Sequence, residues 1–299
     1  MKKYIPYFVW LFAIVISISS CRKLVTDEFT DPELIPVINA FLIPGNQFEL
    51  QASYTANISK TIFNYIDNAN ITLLVDGTII ENLSYNEEGI YSSSIDINKE
   101  SIYQCEILVP GFDPIICTDT IPSVPKVYNI QHINEAGRNE EGFSYPAIKV
   151  SFANDTSNKQ YYEVCLRLLK SDNNEEKAEL ETIIDPVLIN EGLPIALFRN
   201  EIIKDTVYQL TLNYTTGIHA TRDGIGYTPL YPLIVEFRHV SYAYYLYAQS
   251  VYLYENSRYP DGLGTATTAF NTYSNVEGGY GIFAGFSVFQ SDTIYPNSQ

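Results

Sequence analysis

Residues 102–120 read IYQCEILVPGFDPIICTDT, and the period of that stretch decides the fold. Tyr103, Cys105, Ile107 and Val109 fall on one side of an extended chain, with Ile102, Gln104, Glu106 and Leu108 on the other. Side chains that alternate with period two mark a strand. Pro110-Gly111 breaks the run, and Ile115 and Cys117 share a face in a second arm. The stretch is therefore a β-hairpin. If Val109 pairs with Asp113, Cys105 lies opposite Cys117, and a cross-strand disulfide becomes geometrically feasible. A slip of one residue would forbid it by swapping faces. The other reading is two buried free cysteines acting as small hydrophobes.

The same signals extend in both directions. Val37–Ile43 is apolar and stops at Pro44-Gly45, and residues 48–54 alternate. Residues 71–75 run into Asp76-Gly77, a hairpin dipeptide, and Glu87-Glu88-Gly89 turns into residues 90–95. Short strands separated by turns predict an immunoglobulin-like or transthyretin-like sandwich over residues 34–124. Ile121-Pro122-Ser123-Val124-Pro125 interrupts the pattern, since two prolines in five residues favour an extended joint. A second, larger β-sandwich with one helix is expected over residues 125–299. Its strands are read at residues 127–133, 147–152, 161–169, 207–214 and 230–240, with a long loop at residues 134–144. In residues 161–169, Cys165 falls on the more polar face with Glu163 and Arg167.

Residues 241–259 contain no Gly or Pro, and Tyr244, Tyr247, Ala248 and Val251 recur at helical spacing behind Ser241, a capping residue. A helix near 241–257 follows; a long strand is the rival, because tyrosine prefers strands. Further on, Gly278, Gly279, Gly281 and Gly285 alternate with aromatics. Such a stretch either lines a ligand groove or, as we favour, lets a twisted strand meet other backbones closely.

The chain begins with Lys2 and Lys3, an apolar run from Tyr4 to Ile18, and Ser19-Ser20 before Cys21. A basic start, a short apolar core and small residues form a signal peptide, here residues 1–20. Small residues abutting a cysteine resemble the site where bacterial lipoproteins are diacylated, so Cys21 is the expected lipid attachment. Two acyl chains anchor stably where one does not. Residues 21–33 read as a lipidated tether. Arg22-Lys23 precede Asp27-Glu28, which departs from the acidic surface-export signal of Bacteroidetes lipoproteins.

The formal charge is −17. Without Lys2 and Lys3 it falls by two, from −17 to −19. Nucleic acid needs a basic footprint, so it is excluded as a partner. The three histidines (His132, His219 and His239) are far apart in sequence, and no C-x-x-C, H-E-x-x-H, G-x-S-x-G or nucleotide-binding fingerprint occurs. No catalytic residue, metal ligand or cofactor site is assigned, and the chain reads as a non-enzyme. Loose acidic calcium positions at Asn154-Asp155 or Asp261 read equally well as loops. A glycosidase-type carboxylate pair is not legible from sequence. Asp119-Thr120-Ile121, Asp205-Thr206-Val207 and Asp292-Thr293-Ile294 look like the Asp-Thr-apolar acceptors of Bacteroidetes O-glycosylation.

Taken in order, the lipobox, IPVINAFLIPG, EGIYSSS, LFRNEIIKDTVYQLTLNY, HVSYAYYLYAQSVYLYE and TYSNVEGGYGIFAGFS resemble the Bacteroidetes lipoproteins grouped as domain of unknown function 4249. The resemblance spans about Leu34 to Ser287. It implies an outer-membrane lipoprotein encoded beside TonB-dependent receptors, with no activity, cofactor or catalytic residue to carry over. The expectation is thus a lipid-anchored binding or accessory protein of the cell outer membrane, working with a TonB-dependent β-barrel receptor in nutrient uptake. A structural or adhesin-like surface lipoprotein is the alternative, and a hydrolase on surface polymers comes third.

Overall fold

Strands follow one another from Pro36 to Gln290. They belong to a computed structural model that describes residues 33–57, 63–170, 175–217, 219–220, 226–257 and 270–296. The lipobox and Cys21, the tether up to residue 32, and Asp261 lie outside the described residues. The first strands are β1 (Pro36–Leu42), β2 (Gln47–Tyr54), β3 (Asn70–Val75), β4 (Thr78–Asn82), β5 (Ser84–Tyr85), β6 (Ile90–Asp96), β7 (Ile102–Leu108) and β8 (Ile115–Thr120). After the joint come β9 (Val127–Arg138), β10 (Ser144–Ala153), β11 (Tyr161–Leu169), β12 (Glu175–Lys177), β13 (Glu179–Leu180) and β14 (Leu197–Arg199). The last are β15 (Val207–Thr215), β16 (His219–Ala220), β17 (Gly226–Tyr227), β18 (Leu233–Val240), β19 (Val276–Glu277) and β20 (Tyr280–Gln290). Helices are α1 (Pro186–Glu191) and α2 (Tyr242–Ser257). The chain is mainly β, as its periodicity predicts.

One nine-stranded sheet, ordered β12-β11-β18-β20-β1-β2-β6-β5 with β14 beside β11, carries strands from both sides of the proline joint. A five-stranded sheet (β19-β8-β7-β3-β4) and a four-stranded sheet (β13-β15-β10-β9) complete the two sandwiches. The first core packs Ile38, Phe48 and Leu50 against Leu73, Tyr103 and Ile107. The second packs Tyr162, Val164 and Phe237 against Ile148, Phe152 and Leu210. Helix α2 covers part of the opposite face of the large sheet, burying Tyr244 and Tyr245 with Ile282, Ala284 and Phe286.

Strand β20 is the spine. Its Phe283 belongs to the first core and its Phe289 packs against the second. Its Ile282, Ala284 and Phe286 face the helix. It pairs in parallel with β1 (Val37 opposite Tyr280) and antiparallel with β18 (Val240 opposite Phe286). The joint is pinned across it: the Ser287 hydroxyl donates to the Pro122 carbonyl, and His239 Nδ1 donates to the Ser123 carbonyl at 2.9 Å.

The glycine-aromatic stretch is the seam of this arrangement. A Cβ on Gly281 would collide with the Ile38 carbonyl, one on Gly279 would lie 2.7 Å from the Pro36 carbonyl, and one on Gly285 would lie 2.9 Å from Ile121. Past the end of β18, Asn275 takes the place of a strand partner. Its Nδ2 donates to the Phe283 carbonyl at 2.8 Å and its Oδ1 accepts from Phe283 N at 2.9 Å. Asp119 Oδ2 accepts from Gly285 N at 2.8 Å.

The hairpin register pairs Ile107 with Ile115 and Cys105 with Cys117. Both cysteines are fully buried, and both are free thiols here. Two local expectations change. The segment expected to loop from 134 to 144 is mostly strand, because β9 continues to Arg138 and pairs with β10 through a bulge. The second half holds a further helix beyond the one expected: α1 is six residues long, too short to show helical periodicity. Helix α2 starts as expected, with Ser241 Oγ accepting from Tyr244 N at 3.1 Å.

Candidate binding surface

The outer face of the large sheet has three parts: a charged lattice, the helix, and an open cleft. The lattice follows from alternation. Glu163, Cys165 and Arg167 of β11 and Glu236 and Arg238 of β18 point away from the second core. Arg238 bonds Glu163 at 2.8 Å and Glu236 at 2.7 Å, and Arg167 bonds Glu236 at 3.0 Å and Glu175 at 2.7 Å. Lys177 approaches Glu163 at 3.6 Å, and the Tyr244 hydroxyl donates to it at 2.7 Å. Burial pushes the Glu163 carboxyl up, but Arg238 and Lys177, with the Tyr244 hydroxyl, leave it below the usual glutamate range. Each oxygen of Glu163 and Glu236 thus faces a cation. The lattice fastens the helix to the sheet through Tyr244 and favours the charged form of Glu163.

The cleft lies on β1 and β2, with a volume of about 500 Å³. Its floor is set by register: Asn39 stands directly opposite Gln51, and Val37 opposite Ser53. Their neighbours Ile38, Leu50 and Ala52 point into the first core, which fixes these four outward. Asn39 Oδ1 accepts from Ile282 N at 3.3 Å, and Gln51 Nε2 donates to the Glu88 carbonyl at 3.3 Å. A donor on Asn39 and an acceptor on Gln51 are left without a partner among the described residues. Phe63 and Tyr65 form one wall, with ring centroids 6.1 Å apart and planes inclined by 30°. Phe63 is 64% exposed. None of the described lining residues carries a charge. A smaller recess of about 110 Å³ beside Tyr161 and Tyr242 is less open to a ligand, because Arg199 in it is bound to Glu191 and Glu201.

The structure scatters the other sequence candidates. His132 Nε2 is hydrogen-bonded to the Tyr214 hydroxyl at 2.8 Å, and His239 stacks on Tyr162 with centroids 5.1 Å apart. No group of three or more metal-ligating side chains occurs among the described residues. Asp155 is an ordinary turn residue, with Oδ1 accepting from Ser157 N at 2.8 Å. Cys165 sits on the lattice face, where burial raises its thiol to about 11. Burial raises Cys117 to about 12 and Cys105 well above its ordinary value. The Thr120 and Thr206 side chains are exposed. The cleft residues were not singled out from the sequence. The signal for Asn39 was there, as a polar residue at an outward position of β1, but its neighbour Gln51 is named only by the register.

No helix among the described residues is long and apolar enough to cross a membrane. A family model described as "Domain of unknown function (DUF4249)" matches residues 23–292. No curated protein matches the chain. Among solved structures, a crystal structure from Corynebacterium diphtheriae described with the words "membrane anchored protein" aligns with a TM-score of 0.22 at 10% identity, over 72% of this chain and 56% of that one. The chain thus spans little more than half of that protein, and a likeness at this score says nothing about fold or function.

Proposed function

The chain belongs to the DUF4249 family, and on that premise we propose that it is a binding protein of the cell envelope, held to the outer membrane by lipid on Cys21 and accessory to a TonB-dependent β-barrel receptor. The observation that carries the reading is the open cleft on β1 and β2, whose described lining is uncharged. It offers hydrogen-bonding groups and the exposed Phe63 ring to a ligand, while the carboxylates of the lattice are paired with their own cations. The anchor is consistent with that placement. The cleft sits on the first strand after the tether, and a chain extends at most about 3.3–3.6 Å per residue, which keeps β1 within about 50 Å of the lipid. The acidity of the chain gives it no attraction to anionic headgroups, so attachment falls to the acyl chains.

Purification of a natively tagged chain from cross-linked, detergent-solubilised outer membranes tests this. A β-barrel receptor is expected to co-purify in near-equal amount, and Cys21→Ala is expected to lose both membrane and receptor. Recovery of the wild-type chain alone, or a Cys21→Ala variant that stays in the membrane, would overturn the proposal.

A further inference from the structure

We propose that the β1–β2 cleft is a site for a neutral oligosaccharide. This rests on the binding reading above and names its ligand class. The described lining is uncharged in a chain of net charge −17, so a charged ligand would find no counter-ion among the described residues there. A sugar hydroxyl both donates and accepts. Adjacent hydroxyls of a pyranose therefore match a donor and an acceptor set side by side, which Asn39 and Gln51 provide across one register pair. The Ser53 hydroxyl stands at the next outward position of the same strand, where Val37 is its partner.

The rings supply the remaining contact. The C–H faces of a pyranose are apolar and weakly positive, and an aromatic face is negative, so a sugar stacks on a ring. Phe63, whose plane is inclined by 30° to that of Tyr65, is 64% exposed and is the lining ring most open to such stacking. Tyr280 stands one strand over, opposite Val37, and is 52% exposed. A proline-rich peptide is the other ligand that aromatic grooves take, but proline has no N–H to offer the Gln51 acceptor.

The test is calorimetry on the lipidated full chain, in a detergent without a sugar headgroup. The probes are maltohexaose, cellohexaose, xylohexaose and mannohexaose, with hexagalacturonate and decaproline as contrasts. At least one neutral hexasaccharide is expected to bind, and Phe63→Ala and Gln51→Ala are each expected to weaken it about tenfold, the loss of one stacking or polar contact. Phe63→Tyr keeps the ring and is expected to keep the affinity. Phe63 is exposed, so an unchanged melting curve will show that Phe63→Ala folds. No binding by any neutral probe overturns the proposal. So does binding indifferent to both substitutions, equal binding of hexagalacturonate, or preference for decaproline. Receptor co-purification with no sugar binding would remove the ligand class and leave the envelope reading standing.

Discussion

Gly281 stands where no side chain fits. Its φ is +117°, and a Cβ would enter the Ile38 carbonyl of the neighbouring strand. Gly281→Ala is therefore expected to cost more than about 3 kcal/mol, read as a fall in the urea midpoint, because strain and collision add. Glu163 gives a prediction in pH. Its carboxyl lies below the usual glutamate range in the folded chain, so the unfolded chain binds a proton first as pH falls. Its stabilising effect is complete above the ordinary glutamate range and disappears as pH drops through the lowered folded value. The gap in urea midpoint between wild type and Glu163→Gln should be wide at neutral pH and narrow as pH falls below the ordinary glutamate range. The glycines of the seam were legible because glycine alternating with aromatics has few other uses. Asn275 was not, because the bond it makes to Phe283 depends on β18 stopping short.

At the scale of the element, the hairpin of β7 and β8 was readable because its two arms and turn lie within one short stretch. Its cysteines face each other as free thiols that burial keeps protonated. Alkylation by iodoacetamide is expected to spare Cys105, Cys117 and Cys165 in the folded protein and to label them on unfolding without reductant, as mass spectrometry will show. Helix α1 escaped reading, although its ends are marked. Asp185 caps it, accepting from Val187 N at 3.0 Å; Pro186 opens it; and Gly192 closes it with φ of +73°. Asp185 is 4% exposed and also accepts from the Tyr208 hydroxyl and Thr211 N, each at 2.8 Å. Asp185→Ala strands three donors and is expected to lower stability by about 3 kcal/mol in urea titration. Helix α2 was legible from period and cap. Its buried Tyr245 was not, because it lies about 100° round the helix from Tyr244 and is buried beside Glu191 and Arg199, which only the tertiary fold brings there.

For the whole molecule, period two says which face a residue takes and nothing about which strand lies beside it. That is why the strands were readable and the shared sheet was not, and why a cleft made by register stayed hidden. The first core includes Val276 and Phe283 from the far end of the chain. A fragment of residues 34–124 is accordingly expected to lack a cooperative melt by circular dichroism, and adding a peptide of residues 270–292 should restore one.

Asn39 and Ile282 touch across a separation of 243 positions, and this has a bearing on biogenesis. A polypeptide threaded through an export channel from its amino end delivers β1 first and β20 last. Until the carboxyl end arrives, β1 has one bare flank, a template for stray pairing, and the closure of so large a loop is slow. Any chaperone that meets the emerging chain therefore has a window in which to hold the newcomer, and its tail acts as the bolt that ends that custody.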